Sequence, residues 1–321
     1  MKIISILIMS VLTFICVEIL TASKSILDAV SFSLYIFKNN IFPSLFPFFV
    51  LSKLMIKYGF VELIGNLFKP IMNKLFKING KCAFIFVMSI ISGNPANAKY
   101  TKELLDNNDI NAFEATKILC FTSFTSPLFI LGTVSLVFLN NKETGLLILF
   151  CHYIGNLIIG ILIRNYHPSK YENEKISLNK AIDSMHKKRI NNKEPFGTIV
   201  TDALISSINT LLLILGVMTM CLVITTIIDN NINLNSIFQS ILNGYIEMTQ
   251  GLKYISMEDI PLKLKCTLAV MILSFGGFSV HMQIVSITSK TKIKYFPFLV
   301  CRIIHSLISG ILMFIIFDHY F

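Results

Sequence analysis

The chain has 321 residues, 54% of them hydrophobic and 14% charged, with a net charge of +10 and a mean hydropathy of +0.70. Soluble domains carry about 25% charged residues, so this composition excludes an ordinary soluble protein and a disordered one. The cations lie in loops between apolar runs, where they orient helices, and so do not indicate a nucleic-acid partner. Seven cysteines without a CxxC pair are typical of packing residues rather than of disulfides or a zinc site.

An apolar run at 3–20 opens the chain and predicts an uncleaved first span, although the small residues that follow it could end a secretory signal. Residues 23–38 and 60–79 mix apolar and polar side chains, which predicts amphipathic or re-entrant pieces at the membrane interface. Further apolar runs lie at 41–56, 82–92, 113–139, 144–163, 198–228, 237–246, 264–287 and 295–317. The pattern predicts an all-α polytopic membrane protein with about 8–10 transmembrane or re-entrant helices.

Three of these runs carry polar breaks. The run at 82–92 ends in Ser-Gly-Asn-Pro, the run at 113–139 contains Ser-Phe-Thr-Ser-Pro, and the run at 264–287 contains Ser-Phe-Gly-Gly-Phe-Ser. Non-helical backbone at membrane depth is tolerated only where protein buries it or water lines it. The breaks therefore predict interrupted helices beside a polar cavity.

Basic residues predict the orientation of the helices. The loop Arg164–Glu194 carries eight Lys and Arg residues and is therefore expected on the cytoplasmic side. Lysines also flank the last two apolar runs, at positions 263, 265, 290, 292 and 294, and all five look cytoplasmic. Two cytoplasmic ends make 264–287 a re-entrant hairpin, with a broken crossing as the open alternative.

An internal repeat appears when the two halves are compared. At a shift of 150, eight of fourteen positions in 149–162 are identical to those in 299–312. A weaker match at a shift of 184 places Gly93 on Gly277, and the difference between the shifts predicts an extra segment near 101–139 in the first half. The flanking charges orient the two matching helices in opposite directions, which is typical of inverted-repeat transporters.

The sequence thus divides into four predicted regions. Residues 1–40 hold the first span and an amphipathic segment, and 41–163 hold the first repeat. Residues 164–197 form the basic loop, and 198–321 hold the second repeat.

The first break combines an N-cap residue, Asn94, with Pro95 at the first helical position. The free N–H groups at such a helix start attract anions, and Lys99 follows about one turn later. An ordinary loop between spans is the alternative. The candidate binding residues here are Ser92, Gly93, Asn94, Asn97 and Lys99.

The other breaks offer further polar groups. Around Pro127, the hydroxyls of Ser123, Thr125 and Ser126 could line a cavity, and a simple proline kink is the alternative. In the third break, paired glycines would let a ligand approach the backbone beside polar side chains. Its candidate binding residues are Gly276, Gly277, Ser279, His281 and Gln283.

Other polar residues lie in apolar surroundings. Glu247 is a candidate binding residue because an intramembrane carboxylate is costly to bury, although an interfacial position would make it merely solvated. His152, Arg302 and His305 lie on the matching repeat helices, where structural pairing is the more frequent role. No HExxH, Walker A, GxSxG or GxGD pattern and no metal-ligand spacing occurs, so we expect no enzyme and no cofactor.

The three breaks, in their order and spacing, resemble sporulation membrane proteins of the nucleoside-recognition or Gate-domain family, which is related to concentrative nucleoside transporters. The family elements are S-G-x-P-x-G-A-K, N-P-L-F-x-x-G and S-F-G-G-x-S-x-H-x-Q, and the likeness covers about residues 40–317. The third element matches closely. Asn97 stands where the family has Gly, and Ser126 stands where it has Asn, so the roles of these two residues do not carry over.

The resemblance implies a transporter of a small anionic solute, foremost dipicolinate, across the outer forespore membrane of a sporulating bacterium. The expected partners are that substrate and the lipid bilayer, while nucleic acid is not expected, and a homo-oligomer and the coupling ion, H⁺ or Na⁺, are left open. The alternatives are a non-transporting membrane scaffold needed for spore maturation and a nucleoside-like permease. We expect the Gly93 and Gly277 regions to face each other near the bilayer centre if the protein is a transporter.

Overall fold

A computed structural model describes residues 2–168 and 177–321 of the chain, so Lys170 and Lys175 of the basic loop lie outside the described residues. The described part is helical, without a strand, which confirms the all-α prediction. The α-helices are α1 (Lys2–Thr21), α2 (Ser23–Ile36), α3 (Phe42–Lys57), α4 (Phe60–Ile71), α5 (Cys82–Ser92), α6 (Ala96–Asp106), α7 (Ala112–Phe121), α8 (Lys142–Leu162), α9 (Leu178–Asn191), α10 (Phe196–Asn231), α11 (Ser236–Ile246), α12 (Met248–Met257), α13 (Leu262–Phe275), α14 (Gly277–Thr288) and α15 (Tyr295–Tyr320). The π-helical segments are Phe37–Ile41, Met72–Phe76 and Phe129–Phe138, and Ile163–Asn165 is a 3₁₀ turn.

Six helical stretches in the described residues are long and apolar enough to cross a membrane, which supports a polytopic membrane protein. They are Lys2–Thr21, Ser23–Lys57, Lys142–Asn165, Phe196–Asn231, Leu262–Thr288 and Tyr295–Tyr320. The second stretch corrects the sequence analysis, which treats 23–38 as a separate interfacial piece. A π-helical turn joins α2 to α3 instead, and buried Ile36 packs against Met218 and Leu222 of α10.

Two pairs of short helices fold back on themselves. In the first hairpin, α5 and α6, the Tyr100 hydroxyl donates to Ser92 Oγ at 3.2 Å, and the Tyr100 ring packs edge-on against Phe84. In the second hairpin, α11 and α12, the backbones meet at Gly244 and Gly251, where an added Cβ on Gly251 would lie 2.0 Å from Gly244 Cα. Neither pair is long enough to cross the membrane twice, so both are re-entrant hairpins.

Two other helix pairs are interrupted but continue onward. After α7 the chain is non-helical over 122–126 and then resumes as the π-helical segment Phe129–Phe138. Between α13 and α14 the chain turns at Gly276, whose φ is 93°. Helix α13 packs against α8 and α15, whereas α14 packs against α6 and α10. The predicted hairpin at 264–287 is therefore wrong, and this stretch is a broken crossing.

Contacts at the helix ends show which ends share a face. Lys117 Nζ donates to the Arg164 carbonyl at 2.5 Å, and the Lys294 N–H donates to Thr116 Oγ1 at 3.1 Å. The end of α8 and the start of α15 therefore lie together on the face of the basic loop, so these two helices are antiparallel.

Two lysines that were predicted on the face of the basic loop lie on the opposite face. Lys263 pairs with Asp318 at 2.5 Å, at the far end of α15 from Lys294. Lys265 lies nearby and donates to the Ser256 carbonyl at 2.9 Å. The prediction that these two lysines share the face of the basic loop is wrong, because both lie at the start of α13, which Lys263 joins to the end of α15 opposite to Lys294.

The repeat follows one register throughout. Hairpin, broken crossing and span appear in that order in both halves, as α5–α6, α7 with its π-helix, and α8, then as α11–α12, α13–α14 and α15. A shift of 150 places the broken crossing 112–138 directly on 262–288. The 184 register is therefore wrong, because it matches a hairpin tip with a broken crossing. The segment near 101–139 is a repeat member and not an insertion.

Candidate functional site

Both hairpin tips and both helix breaks border one cavity. The first repeat contributes Asn94 from its hairpin tip and Thr125 and Ser126 from its break. The second repeat contributes Glu247 and Thr249 from its tip and Ser279 and Gln283 from the start of α14. The remaining lining residues are Asn40, Ile41, Ser44, Leu45, Phe129, Ile214, Met218, Met248 and Val280.

The cavity is small. A water molecule's centre can move through only about 50 Å³ of it, whereas pockets for drug-sized ligands have volumes of about 300–1,000 Å³. Buried polar and charged residues, including Glu247 at 2% exposure, surround this small space. The cavity in this structure is too small for a solute of the size of an aromatic dicarboxylate.

Two glycines allow close backbone contacts beside the cavity, one at the tip of the first hairpin and one at the second break. Gly93 has a φ of 79°, and an added Cβ would lie 2.4 Å from the Ser126 backbone nitrogen. Gly277 has a φ of 66°, and its added Cβ would lie 3.1 Å from the Met248 nitrogen. Each glycine thus packs against a cavity residue of its own repeat. The two glycines lie behind different lining residues, and the atoms nearest to each glycine belong to its own repeat and not to the other glycine.

Four helical segments start at a hairpin tip or just after a helix break. They are α6, the π-helix Phe129–Phe138, α12 and α14. Two of these starts are already capped by cavity side chains. Ser126 Oγ accepts from the Phe129 N–H at 3.3 Å, and the Glu247 carboxylate accepts from the N–H groups of Thr249 at 2.8 Å and Gln250 at 3.0 Å. The two other starts, at α6 and α14, have no side-chain cap. At α6, whose N-cap is Pro95, the N–H groups of Ala96 and Ala98 already donate to the carbonyls of Gly93 at 3.0 Å and Pro95 at 3.1 Å, so α14 is the uncapped start that is left to bind an anion.

The charge of the cavity is asymmetric. Glu247 is its one carboxylate, and among the described residues no Lys or Arg lines it. Asn94 is held in place by Ser123, whose hydroxyl donates to Asn94 Oδ1 at 2.8 Å. The cavity therefore offers amide and hydroxyl groups, helix N-termini and one acid.

Six of the predicted binding residues line the cavity, and the others do not. Those that line it are Asn94, Thr125, Ser126, Glu247, Ser279 and Gln283. Those that do not are Ser92, Gly93, Asn97, Lys99, Ser123, Gly276, Gly277 and His281. Ser123 and the glycines still shape the cavity through their neighbours.

Lys99 and His281 have other surroundings. Lys99 is 6% exposed, its ammonium lies 4.5 Å from the Phe49 ring centroid, and it has no hydrogen-bond partner. His281 Nε2 donates to the Phe275 carbonyl at 3.1 Å, and its Nδ1 is 2.9 Å from the Tyr295 hydroxyl. This histidine fastens α14 to the residue before the break rather than facing the cavity.

The sequence analysis missed Asn40 and Ser44. They lie where α2 passes through a π-helical turn into α3, and Asn40 Nδ2 contacts Thr133 Oγ1 at 2.5 Å. The adjacent pair Asn39 and Asn40 inside an otherwise apolar stretch is the signal that could have revealed this position.

A buried polar cluster lies beside the two breaks. His152 on α8 accepts the Thr125 N–H at Nε2 (2.9 Å), and its Nδ1 is 3.0 Å from Ser274 Oγ. Arg302 on α15 donates to Asn156 Oδ1 at 3.0 Å and to backbone carbonyls of both breaks. His305 Nε2 donates to the His152 carbonyl at 2.8 Å. The cluster joins the two repeats at the level of the cavity.

Two comparisons with known proteins place this chain in a family. A family model described as "Nucleoside recognition", Gate, matches residues 39–141, which include the first hairpin and the first broken crossing. The chain is 32% identical to the sporulation integral membrane protein YlbJ of Bacillus subtilis (strain 168) over 334 aligned positions. The match covers 97% of this chain and 82% of the relative. No solved structure matches.

Proposed function

Because the chain belongs to the family of the sporulation integral membrane protein YlbJ, we propose that it is a transporter of a small anionic solute in sporulation. The proposed substrate is dipicolinate, and the proposed location is the outer forespore membrane. One observation carries the transport proposal: tips and breaks of two inverted repeats border a single small cavity. Transporters with inverted repeats bind their substrates at such positions.

The proposed binding mode uses neutral donors. The uncapped start of α14 would receive one carboxylate of a flat dianion, and the amides of Asn94 and Gln283 would donate to the anion. Lys99 has no part in this mode, because it does not line the cavity. Glu247 would oppose an anion unless that carboxylate is neutral when the substrate is present.

Alternating access would follow from the two hairpins. The first hairpin starts at Lys81, which pairs with Asp109 at the other end of the same hairpin. The second hairpin starts at Ser236, whose hydroxyl donates to Glu258 at its far end at 2.6 Å. Each hairpin is thus closed at its base and approaches the cavity from its own face. Moving one hairpin at a time would open the cavity to one side only.

A nucleoside-like permease is the second candidate, and one observation favours it. Glu247 lies in the cavity together with the amides of Asn94 and Gln283, and such a set can bind the hydroxyl groups of a ribose. The Gate description of the matching family model agrees with this candidate. A non-transporting scaffold would not need a shared polar cavity.

Uptake into proteoliposomes tests these candidates. Purified protein would be reconstituted, and uptake of labelled dipicolinate would be compared with protein-free liposomes and in the presence of unlabelled dipicolinate or uridine. Saturable uptake that only dipicolinate inhibits supports the first proposal. Saturable uptake of labelled uridine instead supports the permease. Folded, reconstituted protein that moves neither solute would contradict transport and favour the scaffold.

A further inference from the structure

Arg302 lies inside the protein between the two helix breaks. Its side chain is 1% exposed, and its guanidinium donates to the carbonyls of Ser123 at 3.3 Å and Ser274 at 3.4 Å. The carbonyl of Cys120 and the amide oxygen of Asn156 are further acceptors. Cys120 lies in the last turn of α7 and Ser123 lies in the break that follows it, while Ser274 lies in the last turn of α13, just before the break of the second repeat. One cation therefore serves both breaks.

These carbonyls need a partner because the helices stop. The last carbonyls of a helix have no partner within that helix, and α7 ends at Phe121 while α13 ends at Phe275. In transporters with broken helices, such unwound carbonyls coordinate a sodium ion or a proton. Here the guanidinium of Arg302 occupies the position of that ion.

The charge of Arg302 is balanced by dipoles rather than by an acid. No carboxylate lies within ion-pair distance of Arg302 in the described part of the chain. His305 Nδ1 lies 2.9 Å from the guanidinium and 3.1 Å from the Ser274 carbonyl, and His305 Nε2 donates to the His152 carbonyl at 2.8 Å. Phe298 adds a ring face 5.5 Å from the guanidinium carbon. The Arg302 guanidinium is thus surrounded by several carbonyls, a neutral amide and an aromatic ring. Such groups typically surround a bound cation.

The repeat strengthens this interpretation. At the shift of 150, Arg302 falls on His152, and His152 also contacts both breaks, through Thr125 and Ser274. The same position in each repeat thus connects the two broken crossings. Only the second repeat places a permanent positive charge there.

We propose that Arg302 is a built-in cation that takes the place of a metal ion at the two breaks, so that the binding-competent fold and transport need neither sodium nor potassium. The statement about transport rests on the proposed function, whereas the statement about the fold does not. Arg302 is a positioning residue in this scheme: it holds the carbonyls of both breaks together and does not touch the substrate.

Thermal unfolding of the purified protein tests the first half without any substrate. Six of the seven cysteines are buried, so a thiol-reactive dye reports unfolding. The Tm of the wild type is expected to be the same in sodium, potassium and choline chloride at equal ionic strength. Arg302→Ala is expected to lower Tm by about 10 °C because it leaves several buried carbonyls unpaired. Sodium or methylguanidinium, but not choline, is expected to restore part of that loss in a saturable way.

Two variants serve as comparisons. Leu307→Ala removes an exposed side chain from the same helix and should show no response to any cation. Arg302→Lys keeps one charge, so its Tm should lie between those of the wild type and Arg302→Ala and should not respond to sodium. The lysine variant keeps the test decisive if Arg302→Ala does not accumulate. A saturable rise of the wild-type Tm with sodium would overturn the proposal. A rise of the Arg302→Lys Tm with sodium would also overturn it. So would a folded Arg302→Ala protein whose Tm responds to neither sodium nor methylguanidinium.

Uptake measurements test the second half. Proteoliposomes should take up labelled dipicolinate at the same initial rate with sodium, potassium or choline outside. Uptake that requires sodium would overturn the proposal. Absence of uptake under all three conditions would count against the proposed function, while the unfolding experiment would still decide the role of Arg302.

Discussion

The two hairpins approach the same cavity with different chemistry at their tips. The first hairpin presents the neutral amide of Asn94, which Ser123 holds in place. The second hairpin presents the carboxylate of Glu247, which caps its own second helix. The spans behind them also differ, since α8 carries neutral His152 where α15 carries Arg302. The backbone is repeated, but the charges near the cavity lie in the second repeat.

This difference separates two roles that a symmetric pair of repeats would share. Backbone geometry, set by glycine and proline, forms the cavity in both halves. Charge, set by Glu247 and Arg302, distinguishes one half from the other. The predictions below change first the geometry and then the charge of one half at a time.

The largest effect is expected at Gly93. Gly93→Ala adds a Cβ at 2.4 Å from the Ser126 nitrogen at a residue with a φ of 79°, so the first hairpin and the first break cannot keep their contact. We expect a loss of about 3 kcal/mol or more in the free energy of unfolding. Gly276→Ala also has a positive φ, but its Cβ would lie 3.5 Å from Val280, so we expect a loss of only about 1 kcal/mol.

Gly132→Ala is the matched control, because an added Cβ at Gly132 has nothing within 4 Å. Thermal unfolding of the purified variants would rank them. A Gly93→Ala protein as stable as Gly132→Ala would show that the first break does not depend on this close contact.

The next effect is expected at Gly277 in the second repeat. Gly277→Val adds a branched side chain at a φ of 66°, with its Cβ 3.1 Å from the Met248 nitrogen. The strain is on the order of 1–3 kcal/mol, so the protein should still insert into the membrane. Dipicolinate uptake by reconstituted protein should fall, because the tip of the second hairpin is displaced. Unchanged uptake at normal abundance would make Gly277 a packing residue only.

The polar breaks were predictable from sequence because glycine and proline in apolar runs have a direct physical meaning. Gly93 and Gly276 lie where helices stop, and Pro127 lies where the helix resumes after the first break. The register of the repeat was only partly predictable, since apolar sequences match one another at several shifts. The side of the membrane was wrong for Lys263, because its partner Asp318 is distant in sequence.

The cavity itself was predictable in part. The residues at the breaks and tips were found, but Asn40 comes from a helix outside the repeats, and only tertiary packing brings it to the cavity. Lys99, which was predicted to be a binding residue, does not line the cavity for a related reason. It lies on α6 three residues after the helix starts, and the turn of the helix directs it to Phe49.

Exchanging the chemistry of the tips should have opposite effects on an anion. Glu247→Gln removes the only carboxylate of the cavity, whereas Asn94→Asp adds a second. A unit charge a few ångströms from the substrate is worth about 1–3 kcal/mol at the effective dielectric of a protein, or roughly tenfold to a hundredfold in affinity. We therefore expect tighter dipicolinate binding for Glu247→Gln and weaker binding for Asn94→Asp, measured as KM for uptake. If uridine is the substrate, Glu247→Gln should weaken binding instead.

The smallest effect is expected at Lys99, although its charge and its position after the tip of the first hairpin made it a candidate anion ligand. Its ammonium lies against the Phe49 ring and outside the cavity lining, without a hydrogen-bond partner. Lys99→Met keeps the length of the side chain and removes an unpaired buried charge, so we expect the Tm to stay the same or rise. The KM for dipicolinate should change by less than about threefold, since no contact with the substrate is lost.

Lys102→Met is the matched control on the same helix, because Lys102 pairs with Asp106 at the exposed end of the hairpin. A tenfold or larger rise in KM for Lys99→Met alone, on the order of 1.4 kcal/mol, would mean that this lysine reaches the solute when the hairpins open, and the first tip would then no longer be the neutral one.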